Sequence, residues 1–224
     1  MDITGTLLKI NQELSGSDCQ LVAVSKTKSA ELIMEAYNAG QRVFGENKAQ
    51  ELTKKHETLP KDIKWHMIGH LQSNKVKYIA PFVNLIHAVD SEKLLGTINK
   101  EAKKNERVID CLLQIHIATE ESKFGMNETE IRSLLTKESF SDYQNINIIG
   151  LMGMATNTPD ESKVASEFNG LKVLQEELKS ECKSENINLH ELSIGMSGDY
   201  KIALKQGSTM IRIGSSIFGA RNYP

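Results

Sequence analysis

Apolar positions along this chain switch repeatedly between helical and strand spacing. Ile3, Leu7, Ile10 and Leu14 recur at helical spacing and predict a leading helix. Leu21 to Val24 is a short all-apolar run, as expected of a strand buried on both faces. Further helices are predicted over residues 30–39, 46–56, 72–78, 91–105, 127–136 and 160–182. Gly40 stops the first of these, Asp90 or Ser91 caps the fourth and Asn127 the fifth. Strands are predicted over residues 42–44, 64–68, 83–87, 108–117, 146–152, 189–193 and 210–213. Eight strand-like runs alternating with helices predict an α/β fold, a single (β/α)8 TIM-type barrel with an extra N-terminal helix. No Pro-, Ser- or Gly-rich linker interrupts the alternation, so residues 1–224 are expected to form one domain. A doubly wound open sheet fits less well. It wants a glycine-rich turn after the first strand, and Ser25-Lys26-Thr27-Lys28 follows Val24 instead.

The stretch 193–221 carries the densest chemistry. Two small-residue loops, Met196-Ser197-Gly198-Asp199 and Gly214-Ser215-Ser216, each follow a strand-like run and precede a helical one. Backbone N–H groups at such points have no helical partner and suit an anion. A barrel phosphate site is built after the seventh and eighth strands, where these loops fall. Either loop alone reads as an ordinary turn; the pair, with Arg212 between, reads as a phosphate site. In a closed barrel the first and eighth strands are neighbours, which brings Lys26 beside Arg212 and both loops. A guanidinium nearby disfavours the ammonium form of a lysine, and a neutral lysine is the nucleophile of Schiff-base chemistry.

Charge and composition narrow the partners. Lys plus Arg number 27 against 29 acidic residues, a net charge of −2, so nothing attracts nucleic acid globally and phosphate binding must be local. The three cysteines, Cys19, Cys111 and Cys182, are widely spaced and form no CxxC, which points away from disulfides and zinc. The polar, helix-patterned start is unlike a signal peptide, and no apolar run would span a membrane; a cytoplasmic protein is expected. His66 and His70 are four apart, yet one falls in a strand and the other after Gly69, so a shared helical face for a metal is not expected. His87 and His116, with Asp90 or Glu120, leave a metal hydrolase as an outside reading. Lys28 and Lys123 are candidates to exchange an imine with Lys26, though surface charges are the plainer reading.

At these residues the chain resembles a known family. AVSKTK (23–28), FGENKAQE (44–51), WHMIGHLQSNK (65–75), ESKFG (121–125), GLMGMAT (150–156) and MSGDYKIALKQGSTMIRIGSSIFGAR (196–221) are similar, in order and spacing, to the pyridoxal 5'-phosphate homeostasis protein family. That family is also known as the proline synthetase co-transcribed homologue. The resemblance runs from about Leu21 to the C-terminus. It implies a barrel like the alanine racemase N-terminal domain, with pyridoxal 5'-phosphate (PLP) held as an internal aldimine on Lys26. It further implies that Ser197, Gly198, Gly214 and Ser215 hold the phosphate, that Arg212 faces the pyridine nitrogen and that Asn47 lies near the cofactor. Ser29, His116 and Ser215 depart from the usual proline, asparagine and threonine; the last keeps the hydroxyl.

Three function classes follow. A PLP-binding protein of vitamin B6 homeostasis, with little or no catalysis, is the expected one; it would act as a monomer and pass PLP to accepting apoenzymes. An amino-acid racemase is the alternative. It would need a base on each face of the cofactor, and the barrel accounts for the whole chain without a domain to supply the second. An arginine at the pyridine nitrogen also leaves the ring a weak electron sink. A phosphosugar aldolase would use the lysine and the loops but gives Arg212 no clear task. No metal is expected.

Overall fold

Short apolar runs buried on both faces build the centre of the molecule. The structure, a computed structural model, describes residues 2–119 and 124–220. Its strands are β1 (Gln20–Val24), β2 (Val43–Glu46), β3 (Lys64–Met67), β4 (Leu85–Val89), β5 (Ile109–Ile115), β6 (Ile146–Gly153), β7 (Ile187–Met196) and β8 (Met210–Ile213). They pair in parallel, in chain order, and β8 returns to β1 to close the barrel. Around it lie α2 (Ala30–Asn38), α3 (Ala49–Thr58), α4 (Val76–Ile79), α5 (Glu92–Lys104), α6 (Glu128–Leu135), α7 (Glu161–Glu181), α8 (Tyr200–Lys205) and α9 (Ser215–Phe218). The extra helix α1 (Ile3–Leu14) buries Ile3, Leu7, Ile10 and Leu14 and packs against α2 and α9.

Side-chain alternation along the strands separates two apolar layers. Ala23, Phe44, Trp65, Ile86, Cys111, Leu151, Leu192 and Ile211 face outward and join the helices in the main core. Leu85, Leu112, Met152 and Met210 form a smaller cluster inside the barrel. Above that plug the interior becomes polar: His66, His87, Ser193 and Arg212 are all buried.

The caps behave as the sequence suggests. Ser91, rather than Asp90, caps α5 by accepting from Leu94 N, and Asn127 forms a capping box with Glu130 on α6. Several elements depart from expectation. β4, expected over 83–87, runs from Leu85 to Val89 and so places His87 in mid-strand rather than near its end. β2 runs on through Glu46, whose carbonyl accepts from Ile68 N, so α3 begins only at Ala49. The segment predicted as a helix over 72–78 is a 3-10 turn, Ser73–Lys75, followed by the single turn of α4. β7 extends to Met196 across a register shift relative to β8, where Gly195 takes φ +90. A Cβ there would meet the side chain of Ala203 at 2.6 Å, so both conformation and space call for glycine.

Candidate functional site

The closure of the barrel sets the site. Val22 on β1 pairs with Arg212 on β8, and Ala23 with Ile213, so the turn that follows β1 stands beside the loop that follows β8. A cleft of about 250 Å³ opens there. It is lined by Lys26, Asn47, Ser197, Gly198, Arg212, Gly214 and Ser215, the residues that the loop argument and the family resemblance assign to the cofactor. Val24, Ile68 and Met154 supply apolar wall.

Each candidate owes its place to local structure. Lys26 sits one residue before Thr27, which holds a left-handed φ of 65. The first loop is folded by Asp199, whose carboxylate accepts from Met196 N at 2.5 Å and is thereby turned onto its own backbone. Ser197 Oγ accepts from Gly214 N at 3.3 Å and ties the two loops together. Gly214 lies so near β1 that a Cβ would meet Val24 at 3.1 Å, whereas a Cβ at Gly198 would meet open space. Helices α8 and α9 have six and four residues, too short for a strong dipole. What they offer an anion is their first amides: the α9 ladder begins with Ile217 N and Phe218 N on Gly214 O, leaving the amides of Ser215 and Ser216 outside it.

Arg212 reaches across the barrel interior. Its guanidinium donates to Ser193 O at 2.8 Å, Ser193 Oγ at 2.6 Å and Gly153 O at 3.0 Å. Burial lowers its pKa to about 10, so it remains a cation at neutral pH. Ser193 Oγ continues to His87 Nδ1 at 3.0 Å, and His87 Nε2 to His66 Nδ1 at 3.0 Å. Arginine can only donate, so Ser193 Oγ accepts from Arg212; the hydroxyl proton and the ring tautomers set the direction of the other two bonds. With the Ser193 proton turned to His87 Nδ1, His87 carries its own proton on Nε2 and donates to His66. Both imidazoles are neutral: burial pushes His66 down to about 3 and His87 well below its ordinary value. The sequence reading did not join these residues, because Arg212, Ser193, His87 and His66 lie on four strands and share no local spacing. Inward positions of neighbouring strands were the available signal.

A second buried network lies behind Lys26, between β2 and α3. Lys55 Nζ donates to Glu46 Oε1, Glu51 Oε1 and Ser25 O at 2.7, 2.7 and 2.8 Å. Reading Glu46 as a helix start hid it; the signal was a charged residue directly after the strand-like Val43-Phe44-Gly45.

The other candidates are engaged in other contacts or lie outside the described residues. Lys28 lines the cleft, but its ammonium donates to Gly219 O at 3.1 Å and Ala220 O at 3.0 Å, which fastens the chain after α9. His70 bonds Asp90 at 2.8 Å and stacks on Phe124. Among the described residues no three or more His, Cys, Asp or Glu side chains gather as a metal site. Glu120 and Lys123 lie outside the described residues.

The donor set fits PLP: an amine for an aldehyde, a buried cation for a ring nitrogen, and hydroxyls and amides for a phosphate. The comparisons agree with that chemistry. Residues 4–222 match the family described as "Alanine racemase, N-terminal domain". The chain is 40% identical over 210 residues to the pyridoxal phosphate homeostasis protein of Aquifex aeolicus, covering 93% of this chain and 90% of that one. It is 39% identical to the human protein of that name, covering 95% and 80%. PipY of Synechococcus elongatus, solved with PLP bound, superposes with a TM-score of 0.88 at 34% identity, over 97% of this chain and 100% of that chain. Alanine racemase of Bartonella henselae shares the fold, with a TM-score of 0.72 at 13% identity, over 97% of this chain and 58% of that one. The chain thus belongs to the alanine racemase N-terminal domain family and, within it, to the pyridoxal phosphate homeostasis proteins.

Proposed function

We propose that this protein binds PLP through Lys26 and serves intracellular vitamin B6 homeostasis as a carrier or reserve of the cofactor. The observation that carries the reading is the convergence of Lys26, Arg212 and both small-residue loops on one cleft. PLP supplies an aldehyde; the Lys26 amine condenses with it to a Schiff base, releasing one water, and the bond is reversible, as delivery requires. Ser197, Gly198, Gly214 and Ser215 hold the phosphate with hydroxyls and amides. Arg212, fixed by Ser193 and Gly153, donates to the pyridine nitrogen and keeps it unprotonated. Asn47 borders the ring from the β2 side.

The same geometry argues for binding with little or no catalysis. An unprotonated ring withdraws electrons weakly, so a Cα carbanion of an amino acid would gain little stabilisation. Residues 1–224 act as one monomeric, cytoplasmic unit in this reading, and apoenzymes that need PLP are its recipients. Among the described residues no helix is long and apolar enough to cross a membrane.

Absorbance of the purified protein before and after borohydride reduction, with mass spectrometry, tests the attachment. The pyridoxyl mass belongs on the peptide containing Ser25-Lys26-Thr27, and Lys26→Ala should lose it while staying folded. Label found mainly on Lys28 or Lys123 would overturn the assignment. Deuterium wash-in at Cα of L- or D-alanine tests the function. Turnover of about 1 per second or faster, abolished by Lys26→Ala, would promote a racemase instead.

A further inference from the structure

The turn that carries Lys26 is held from behind on both sides. The peptide before Lys26 presents Ser25 O, which accepts from Lys55 Nζ at 2.8 Å and from Lys28 N at 3.0 Å. The peptide after it presents Thr27 N, which donates to Glu51 Oε1 at 2.7 Å. Lys55 joins these two anchors through Glu51 and adds Glu46, whose Oε1 also accepts from Ser25 Oγ at 2.6 Å. Thr27 sits at φ 65, a conformation that a β-branched residue adopts only when its surroundings impose it. The same Glu51 oxygen that receives Lys55 receives the Thr27 amide, so the ion pair and the strained turn share an atom.

We infer that Glu51, Lys55 and Glu46 are positioning residues for Lys26: they fix the peptides on either side of it and so aim its amine at the cleft. Two features set this network apart from general packing. Its bonds end on the backbone immediately flanking one side chain. Two of its ions are also buried, Lys55 and, fully, Glu46, whose Oε2 has no hydrogen-bond partner, while Glu51 is half-buried. Burying charge is costly, and fold stability alone would be as well served by apolar residues there. Holding a reacting group in place is a use for which small displacements cost large factors in rate.

The inference rests on Lys26 being the PLP lysine, and the experiment separates the two. Glu51→Ala removes the acceptor of Thr27 N; Glu51→Gln keeps an oxygen there. In PLP-free protein, amide exchange over Ser25–Lys28 should quicken about tenfold in Glu51→Ala and stay within about threefold in Glu51→Gln. Covalent capture of PLP, followed by absorbance, should slow about tenfold in Glu51→Ala and be rescued by Glu51→Gln. Affinity for pyridoxine 5'-phosphate, which has the ring and phosphate but no aldehyde, should change by less than about twofold. Unchanged capture in Glu51→Ala, or an equal loss of pyridoxine 5'-phosphate binding, would overturn the positioning role. Covalent PLP persisting in Lys26→Ala would instead sink the functional reading, and the exchange result on PLP-free protein would still report on the clamp. Should Glu51→Ala fail to fold, Glu51→Asp, which withdraws the carboxylate by one methylene, carries the same expectations.

Discussion

The two ends of the cleft are supported by opposite kinds of polar network. Behind Lys26 the network is ionic and lies outside the barrel wall, between β2 and α3, with Lys55 shared by Glu46 and Glu51. Beneath Arg212 it is inside the barrel, and apart from the arginine every member is neutral: two carbonyls, a hydroxyl and two uncharged imidazoles. The first network sets two carboxylates against one ammonium, so the turn it stiffens is backed by one net negative charge. The second fixes a guanidinium by hydrogen bonds but gives it no carboxylate partner. The positive charge is thereby left to whatever anion enters the mouth, which suits a phosphorylated cofactor.

The sharpest way to break the contrast is to remove one charge from the ionic side. Lys55→Met leaves the fully buried Glu46 without its counter-ion and should cost about 3–5 kcal/mol in urea unfolding at neutral pH. Adding Glu46→Gln to Lys55→Met should recover most of that loss, because the amide oxygen can still accept from Ser25 Oγ. A single-variant cost below about 1 kcal/mol would show that the pair is effectively solvated.

Next in size is a pH effect from the neutral side. Burial lowers His66 from 6.5 to about 3 and shifts His87 the same way. The unfolded chain therefore binds protons that the native state refuses. Stability is full above about pH 6.5 and falls as pH drops toward 3. His66 alone should remove ~2 kcal/mol between pH 7.5 and pH 5. Urea midpoints across that range measure it, and His66→Gln should flatten the slope. A slope unaffected by that substitution would place the acid sensitivity elsewhere.

These networks also mark how far the sequence could be read. Strand order, barrel closure and the meeting of Lys26, Arg212 and the two loops follow from periodicity and from where the small-residue loops fall, because those signals are local or depend only on the first and last strands meeting; Asn47 came only from the family resemblance. Glu46 was misplaced because FGENKAQE continues into good helix formers, and only pairing with β3 extends β2 that far. The relay from Arg212 to His66 spans four strands, so its members become neighbours only once the barrel's register exists. Lys28, for which a surface charge was the plainer reading, has a role that its nearness to Lys26 in sequence does not reveal: its ammonium fastens the carbonyls that follow α9.

A smaller effect tests whether Ser193 is the joint between guanidinium and imidazole. Ser193→Ala removes the hydroxyl that accepts from Arg212 and hydrogen-bonds His87 Nδ1. His87 Nδ1 is then buried without its partner, and the cost should be about 1–2 kcal/mol in unfolding free energy. Arg212 keeps Ser193 O and Gly153 O, so PLP affinity should fall only slightly. Loss of PLP binding as severe as that of an Arg212 variant would mean the hydroxyl, rather than the two carbonyls, fixes the guanidinium.

The smallest predicted effect concerns the mouth, where the two networks meet the ligand. Ser215→Ala and Ser197→Ala each delete one hydroxyl from a cradle that also offers backbone amides. Each should weaken PLP binding by about 1 kcal/mol, less than a lone charge-assisted bond is worth, since the remaining donors still share the phosphate charge. The two differ in one respect. Ser197 Oγ also accepts from Gly214 N and ties the loops, so its loss loosens the second loop as well and should cost the more. Ser215→Thr keeps the hydroxyl and should bind PLP nearly as well as the parent protein. Pyridoxal, without the phosphate, should bind much more weakly than PLP to the parent protein and should not distinguish the serine variants from it. If pyridoxal and PLP bind alike, the loops are turns and the positive field of Arg212 alone draws the cofactor in.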